Sequence, residues 1–172
     1  MKTLLKALDR LDRFNEYVAK TTAWLLFPVL FIMTIEVIRR KFLNNPSIWS
    51  HEMSYFLCSA MLMLGMAYVF KIKGNVTIDI FYAKFSPRVK AAFDCFFFLV
   101  FFVPMWYFAL QLMVGYLIRS YLISERDYWG IWFPLLWPLK AWTLAGSIML
   151  VLQAVAEFIR DAICLVKGGE RP

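Results

Sequence analysis

Residues 95–118 of the chain read CFFFLVFFVPMWYFALQLMVGYLI and contain no charged side chain over 24 positions. A bilayer hydrocarbon core about 30 Å thick requires about 20 apolar residues from a helix that rises about 1.5 Å per residue. This stretch is therefore long enough to cross a membrane with some tilt. It lacks the strict alternation of apolar and polar residues that marks the strands of a membrane barrel, so it is predicted to be helical.

The composition of the whole chain also indicates a membrane protein. Of the 172 residues, 62% are hydrophobic, which leaves too few polar residues to cover a soluble globule of this length. Three further uncharged or nearly uncharged stretches are predicted to span the membrane: residues 21–38, 53–70 and 141–156. The chain is therefore predicted to be an all-α integral membrane protein with four transmembrane helices, spread over residues 21–160.

The distribution of basic residues predicts the orientation of these helices. Of the 19 lysines and arginines, 13 lie in the N-terminal arm, the loop between the second and third spans, and the C-terminal end, which comprises Arg160 and the tail at 161–172. The other 6 lie in the remaining two loops. Because basic residues are enriched in cytoplasmic loops, both termini are predicted to be cytoplasmic.

Residues 1–20 have the pattern of an amphipathic helix that lies on the cytoplasmic leaflet. At 100° per residue the apolar side chains fall on one face and the charged ones on the opposite face. An alternative is a solvated helix that leads into the first span. The candidates for contact with lipid are Leu4, Leu8, Leu11, Phe14 and Val18.

Several classes of chemistry are not indicated by this sequence. One histidine excludes bis-histidine haem within the chain, and no CxxC, HExxH, GxSxG, P-loop or GxGxxG pattern is present. The basic residues flank the predicted spans and do not form an aromatic-interleaved patch, so binding to nucleic acid is not expected. We expect no enzymatic activity, no cofactor and no metal site.

Polar residues inside the spans are the remaining candidates for function. Glu36 stands one helical turn before Arg40, so an ion pair is predicted, with proton or ion coupling as the alternative. Glu52 lies in the first turns of the second span, where the helix dipole favours a negative charge, and a functional role is again the alternative. Gln111 and Gln153 are predicted to form hydrogen bonds to neighbouring helices.

Short motifs in the order WSHE at 49–52, LG at 64–65, KGNVTID at 73–79, WP at 137–138 and LQ at 152–153 run through the chain. Over roughly residues 20–160 the chain resembles the small, Q-type membrane subunit of tripartite ATP-independent periplasmic (TRAP) transporters. The resemblance implies structural roles for nine residues: Trp49, Glu52, Gly65, Asn75, Asp79, Trp137, Pro138, Gly146 and Gln153. His51 and Asn75 depart from the family pattern, in which an acidic residue and a histidine are common at these places.

The resemblance also implies a division of labour in the bacterial or archaeal cytoplasmic membrane. A periplasmic solute-binding protein captures an organic acid, a large membrane subunit carries it together with sodium, and the small subunit braces the large one. Charged residues of the two outer loops are candidates for docking the binding protein: Arg39, Arg40, Lys41, Arg119, Glu125, Arg126, Asp127 and Lys140. Alternatively, these charges hold anionic lipid headgroups or complement charges on the large subunit.

Two other functions are alternatives to this one. A self-contained four-helix exporter requires a carboxylate deep in the first span, whereas Glu36 lies within three residues of Arg39. A membrane anchor for a respiratory enzyme usually supplies haem-ligating histidines, and His51 is the only histidine in the chain.

Overall fold

A computed structural model of the chain describes residues 2–72, 87–128 and 132–167. Over these residues the fold is helical, as predicted, and the only pairing of strand type is a single antiparallel bridge between Arg126 and Leu135. In chain order the helices are α1 (Lys2–Ala23), α2 (Leu26–Phe42), α3 (Ser50–Lys71), α4 (Pro87–Phe97), a π-helical segment (Phe98–Phe102), α5 (Val103–Leu122) and α6 (Trp137–Lys167).

Three helical regions are long and apolar enough to cross a membrane: Lys6–Phe42, Ser50–Lys71 and Ala92–Leu122. They contain the first three predicted spans. The predicted fourth span, residues 141–156, lies inside the 31-residue helix α6, which is not one of these three regions. Its passage through the membrane, like the cytoplasmic position of the termini, stays a prediction.

The long N-terminal helical region is interrupted between α1 and α2. The amides of Trp24 and Leu25 donate hydrogen bonds to the carbonyls of Thr21 and Thr22, three residues back, which is the tighter 3₁₀ pattern. Pro28 is the cause, because it has no N–H to donate to the carbonyl of Trp24 and its ring crowds that carbonyl. The chain therefore turns before α2 continues.

A second proline explains the π-helical segment before α5. Pro104 cannot donate a hydrogen bond, and its ring collides with the carbonyl of Val100 in a regular α-helix. The amide of Val103 instead donates to the carbonyl of Phe98, five residues back. The aromatic side chains of this segment reach two other helices, since Phe98 stacks on Phe158 of α6 at 4.7 Å between ring centroids and Phe102 meets Phe70 of α3 at 6.2 Å.

The centre of the fold is the contact between α3 and α6. Small buried side chains, such as Ala60 and Ala154, allow these helices to approach closely. Gly146 marks the tightest point, because a Cβ atom built on it would lie 2.3 Å from the carbonyl oxygen of Met63. Near the start of the helices, the rings of Phe56 and Trp142 meet edge to face at 5.8 Å.

Helix α5 contrasts with this tight pair. In the most apolar 18-residue window of Ala92–Leu122, none of the residues is buried inside the chain. Large apolar side chains therefore point outward along most of α5, including those of Met105, Phe108 and Leu112. This surface requires lipid or another protein to cover it.

Candidate functional site

Glu36 is a buried carboxylate at the end of α2, with only 6% of its surface exposed. Arg40 donates a hydrogen bond to its Oε1 at 3.0 Å, so the predicted ion pair is present. The backbone amide of Ser47 donates to Oε2 at 3.0 Å. Oε1 is thus bonded within α2, and Oε2 holds the α2–α3 loop against α2.

The charged outer-loop residues fall into two groups in the structure. Glu125 forms a salt bridge with Lys140, and the hydrogen bond from Lys140 lowers the pKa of this carboxyl. Arg40 is likewise engaged by Glu36. Of the remaining basic residues, Lys41, Arg119 and Arg126 are exposed, and Arg39 is half-buried.

Backbone hydrogen bonds around Arg126 determine the shape of the α5–α6 loop. The amide of Asp127 donates to the carbonyl of Pro134, and the amide of Leu136 donates to the carbonyl of Glu125, both at 2.9 Å. These bonds flank the bridge between Arg126 and Leu135 and hold the exposed arginine on a short hairpin. The loop therefore presents a fixed charge to the solvent side.

A polar cluster joins α1 to α6 at the other end of the fold. Asn15 and Gln153 are both fully buried, and the Nδ2 of Asn15 donates to the Oε1 of Gln153 at 2.7 Å. The Nε2 of Gln153 in turn donates a hydrogen bond to the Oδ1 of Asp12 at 2.9 Å. Arg160 completes the cluster, because it donates to Asp12 at 2.8 Å and also to Glu157. We call these five residues the Asp12 cluster.

Sequence reasoning predicted only one member of the Asp12 cluster to bond across helices, Gln153. Asn15 could have been recognised as well, since it follows Leu8 by seven residues and Leu11 by four and so falls on the apolar face of α1. The pairing of Asp12 with Arg160 joins residues 148 positions apart and leaves no local signal in the sequence. Gln111, the other predicted partner, is exposed on α5.

Helix α1 is also tied to the end of α3. Glu16 accepts hydrogen bonds from Lys20 at 2.7 Å and from Lys71 at 3.2 Å. Together with the Asp12 cluster, this contact places one side of α1 against the protein. Part of the apolar face predicted for lipid is therefore turned inward.

The five predicted lipid-contact residues accordingly have different surroundings. Leu8 is buried by protein, Leu11 and Val18 are half-buried, and Phe14 is 54% exposed. The side chain of Leu4 lies outside the described residues. Contact of this face with the bilayer stays a prediction.

Four of the motif residues lie where α3 and α6 begin. Trp49 precedes α3, and Glu52 lies buried in its first turn with its Oε2 free of any hydrogen bond in the described part of the chain. Trp137 and Pro138 begin α6, where Trp137 meets Tyr121 edge to face. Gly65 differs from Gly146, because nothing lies within 4 Å of a Cβ built on it.

Two motif residues, Asn75 and Asp79, lie outside the described residues. Among the described residues, no group of three or more His, Cys, Asp or Glu side chains is placed to hold a metal ion. The polar groups that the structure brings together act as helix-to-helix contacts and loop anchors.

The chain has apolar helices long enough to span a membrane, a closely packed α3–α6 pair, and hydrogen bonds and ion pairs between helices. These features define a multi-pass membrane protein. The family model of the DctQ component of tripartite ATP-independent periplasmic transporters matches residues 29–164. The chain belongs to this family and is a small component of a TRAP transporter. A search of curated proteins gave no match.

Proposed function

We propose that this chain is a non-transporting subunit that braces the large membrane subunit of its transporter. The observation that carries the proposal is the uncovered apolar surface of α5, which contrasts with the buried polar contacts that join other parts of the chain. A surface of this kind suits packing against membrane helices of another subunit. The exporter and respiratory-anchor alternatives are not favoured by the family to which the chain belongs.

The helix interruptions support a bracing role. Transport sites near mid-membrane are typically built from paired discontinuous helices whose exposed ends bind the substrate and ions. At the described break between α1 and α2, the amides of Trp24 and Leu25 are already bonded to carbonyls of the same turn. The transport step is therefore assigned to the large subunit. From the family of the chain we infer that this subunit carries an organic acid, driven by a sodium gradient.

The proposed placement is a cytoplasmic membrane with both termini inside. The excess of basic residues in the arm, the middle loop and the tail supports it. With this orientation the α2–α3 loop and the α5–α6 loop face the periplasm. They are then available to a periplasmic solute-binding protein.

Gly115 offers a test of where the large subunit binds. Since nothing lies within 4 Å of a Cβ built at its position, Gly115→Leu leaves the chain folded but adds bulk to the uncovered surface of α5. We expect the wild-type chain to co-purify with the large subunit, and Gly115→Leu to lower that recovery by about tenfold, the effect of moderate overpacking.

Gly65→Leu is the matched control, because Gly65 is equally open but lies on α3. Recovery of the large subunit is measured by quantitative blotting after affinity purification of the tagged chain. Unchanged recovery with Gly115→Leu would remove this face of α5 from the interface. Failure of the wild-type chain to co-purify with the large subunit would contradict the bracing role itself.

A separate prediction concerns docking of the binding protein by Arg119 and Arg126, which are exposed, whereas Arg40 is held by Glu36. We expect Arg119→Glu combined with Arg126→Glu to slow uptake severalfold at low salt. The difference should shrink as salt rises, because exposed charges mainly steer encounter and are screened beyond about 8 Å at physiological ionic strength.

The control for charge is Arg10→Glu on α1, which is exposed at the opposite end of the fold. The control for orientation is Asn45→Cys, which should react with a membrane-impermeant maleimide in intact cells. Uptake that is unaltered at low ionic strength, with normal amounts of complex, would exclude these arginines from docking.

A further inference from the structure

A cavity of about 290 Å³ opens between the outer ends of α2 and α3, and neither the ion pair nor the loop contacts explain it. Its wall along α2 is apolar and includes Met33 and Val37. Its rim is polar and basic, with Arg40, Lys41 and His51. The cavity therefore changes in character along its length.

This change follows the axis of α2, which lies in a region long and apolar enough to span a membrane. Met33 and Arg40 are seven residues apart, or about 10 Å along a helix. Because α2 ends just after Lys41, the basic rim lies at the level of the lipid headgroups and the apolar wall lies at the level of the upper acyl chains. A ligand that fills the cavity must itself be anionic at one end and apolar at the other.

The charges at the rim favour a ligand with a single negative charge. Glu36 is buried and already bonded to Arg40 and Ser47, so it offsets one of the two cations. Arg40 keeps free N–H donors, since a guanidinium carries five and its side chain is 69% exposed. Lys41 is exposed beside the ring of Phe42. The rim thus retains a net charge of about one positive unit.

We propose that this cavity binds an anionic phospholipid. The headgroup phosphate contacts Arg40 and Lys41, and the first methylene groups of an acyl chain lie along Met33 and Val37. The volume is close to the lower end for small-molecule sites, so it holds a headgroup and the start of a chain and not a whole lipid. The proposal depends on the crossing of the membrane by α2 and not on the bracing or docking roles.

The test uses the full chain in detergent and counts bound lipids by native mass spectrometry. The probes are phosphatidylglycerol, phosphatidylcholine with the same acyl chains, and inorganic phosphate. We expect phosphatidylglycerol to be retained and phosphatidylcholine to be retained about fivefold less, which matches the attraction of one basic residue for an anionic lipid. Inorganic phosphate, which has no acyl chain, should not be retained.

Val37→Trp fills the apolar wall without changing any charge, and Val37 is exposed enough to accept the larger ring. It should lose the bound phosphatidylglycerol. Ile38→Trp is the matched control, since Ile38 is the exposed neighbour on α2 that does not line the cavity, and it should retain the lipid. Lys41→Gln should reduce retention about fivefold.

Three results would overturn the proposal. One is equal retention of phosphatidylglycerol by Val37→Trp and Ile38→Trp. Another is equal retention of phosphatidylcholine and phosphatidylglycerol by the wild-type chain. A third is retention of inorganic phosphate at the level of the lipid, which would assign the rim to a free anion.

Discussion

Gly146→Leu is expected to prevent α3 and α6 from packing, so that little folded chain is recovered from membranes. A Cβ at this position would lie 2.3 Å from the carbonyl oxygen of Met63 and 2.6 Å from its carbonyl carbon. Backbone atoms cannot move aside by a change of rotamer, so the two helices must separate. Even Gly146→Ala should cost about 1–3 kcal/mol, the usual cost of overpacking.

Gly65→Ala is the matched control on the partner helix. Because nothing lies within 4 Å of a Cβ there, the change should be neutral or should stabilise α3 by up to about 1 kcal/mol through helix propensity. The measurement is the melting temperature of the isolated chain in detergent, followed by size-exclusion chromatography. Equal melting temperatures for Gly146→Ala and Gly65→Ala would contradict the close contact between α3 and α6.

Arg160→Leu should produce the second large loss of stability, because it leaves the carboxylates of Asp12 and Glu157 without their cationic partner. The side chains of Arg160 and Asp12 are only 16% and 14% exposed, so water replaces the lost bonds poorly. Removal of one member of a buried pair costs about 3 kcal/mol or more. For a chain of this length the melting temperature should fall by about 6–12 °C.

Lys20→Leu provides the comparison, since Lys20 also forms an ion pair on α1 but its side chain is 70% exposed. An exposed pair contributes little to stability, because water solvates both charges. The double change of Asp12→Leu with Arg160→Leu should lose less stability than the sum of the two single changes, because it removes both charges together. Strict additivity, or an effect of Arg160→Leu no larger than that of Lys20→Leu, would show that the Asp12 cluster does not hold α1.

Features that depend on local sequence were predictable. The charge-free stretch at 95–118 required a membrane helix, and the spacing of Glu36 and Arg40 was sufficient for their ion pair. Contacts between distant residues were not predictable, because a hydrogen bond between Asn15 and Gln153 depends on how whole helices pack. The sequence around each of these two residues does not indicate which residue is its partner.

The glycines illustrate the same limit. Gly65 and Gly146 are both motif glycines in apolar helices, yet of the two only Gly146 lies against the backbone of another helix of this chain. The difference depends on the rotation of each helix about its axis, which many distributed contacts determine. The apolar face of α1 is a similar case, since its pattern does not reveal that protein covers Leu8 while Phe14 stays exposed.

Uptake by proteoliposomes tests the central claim, that this chain braces a transporter without carrying substrate itself. Vesicles would receive the chain alone, the large subunit alone, or both, each with the solute-binding protein, a radiolabelled organic acid and an inward sodium gradient. The predicted result is uptake only when both membrane subunits are present. Sodium-dependent uptake by vesicles that contain this chain without the large subunit would contradict the claim.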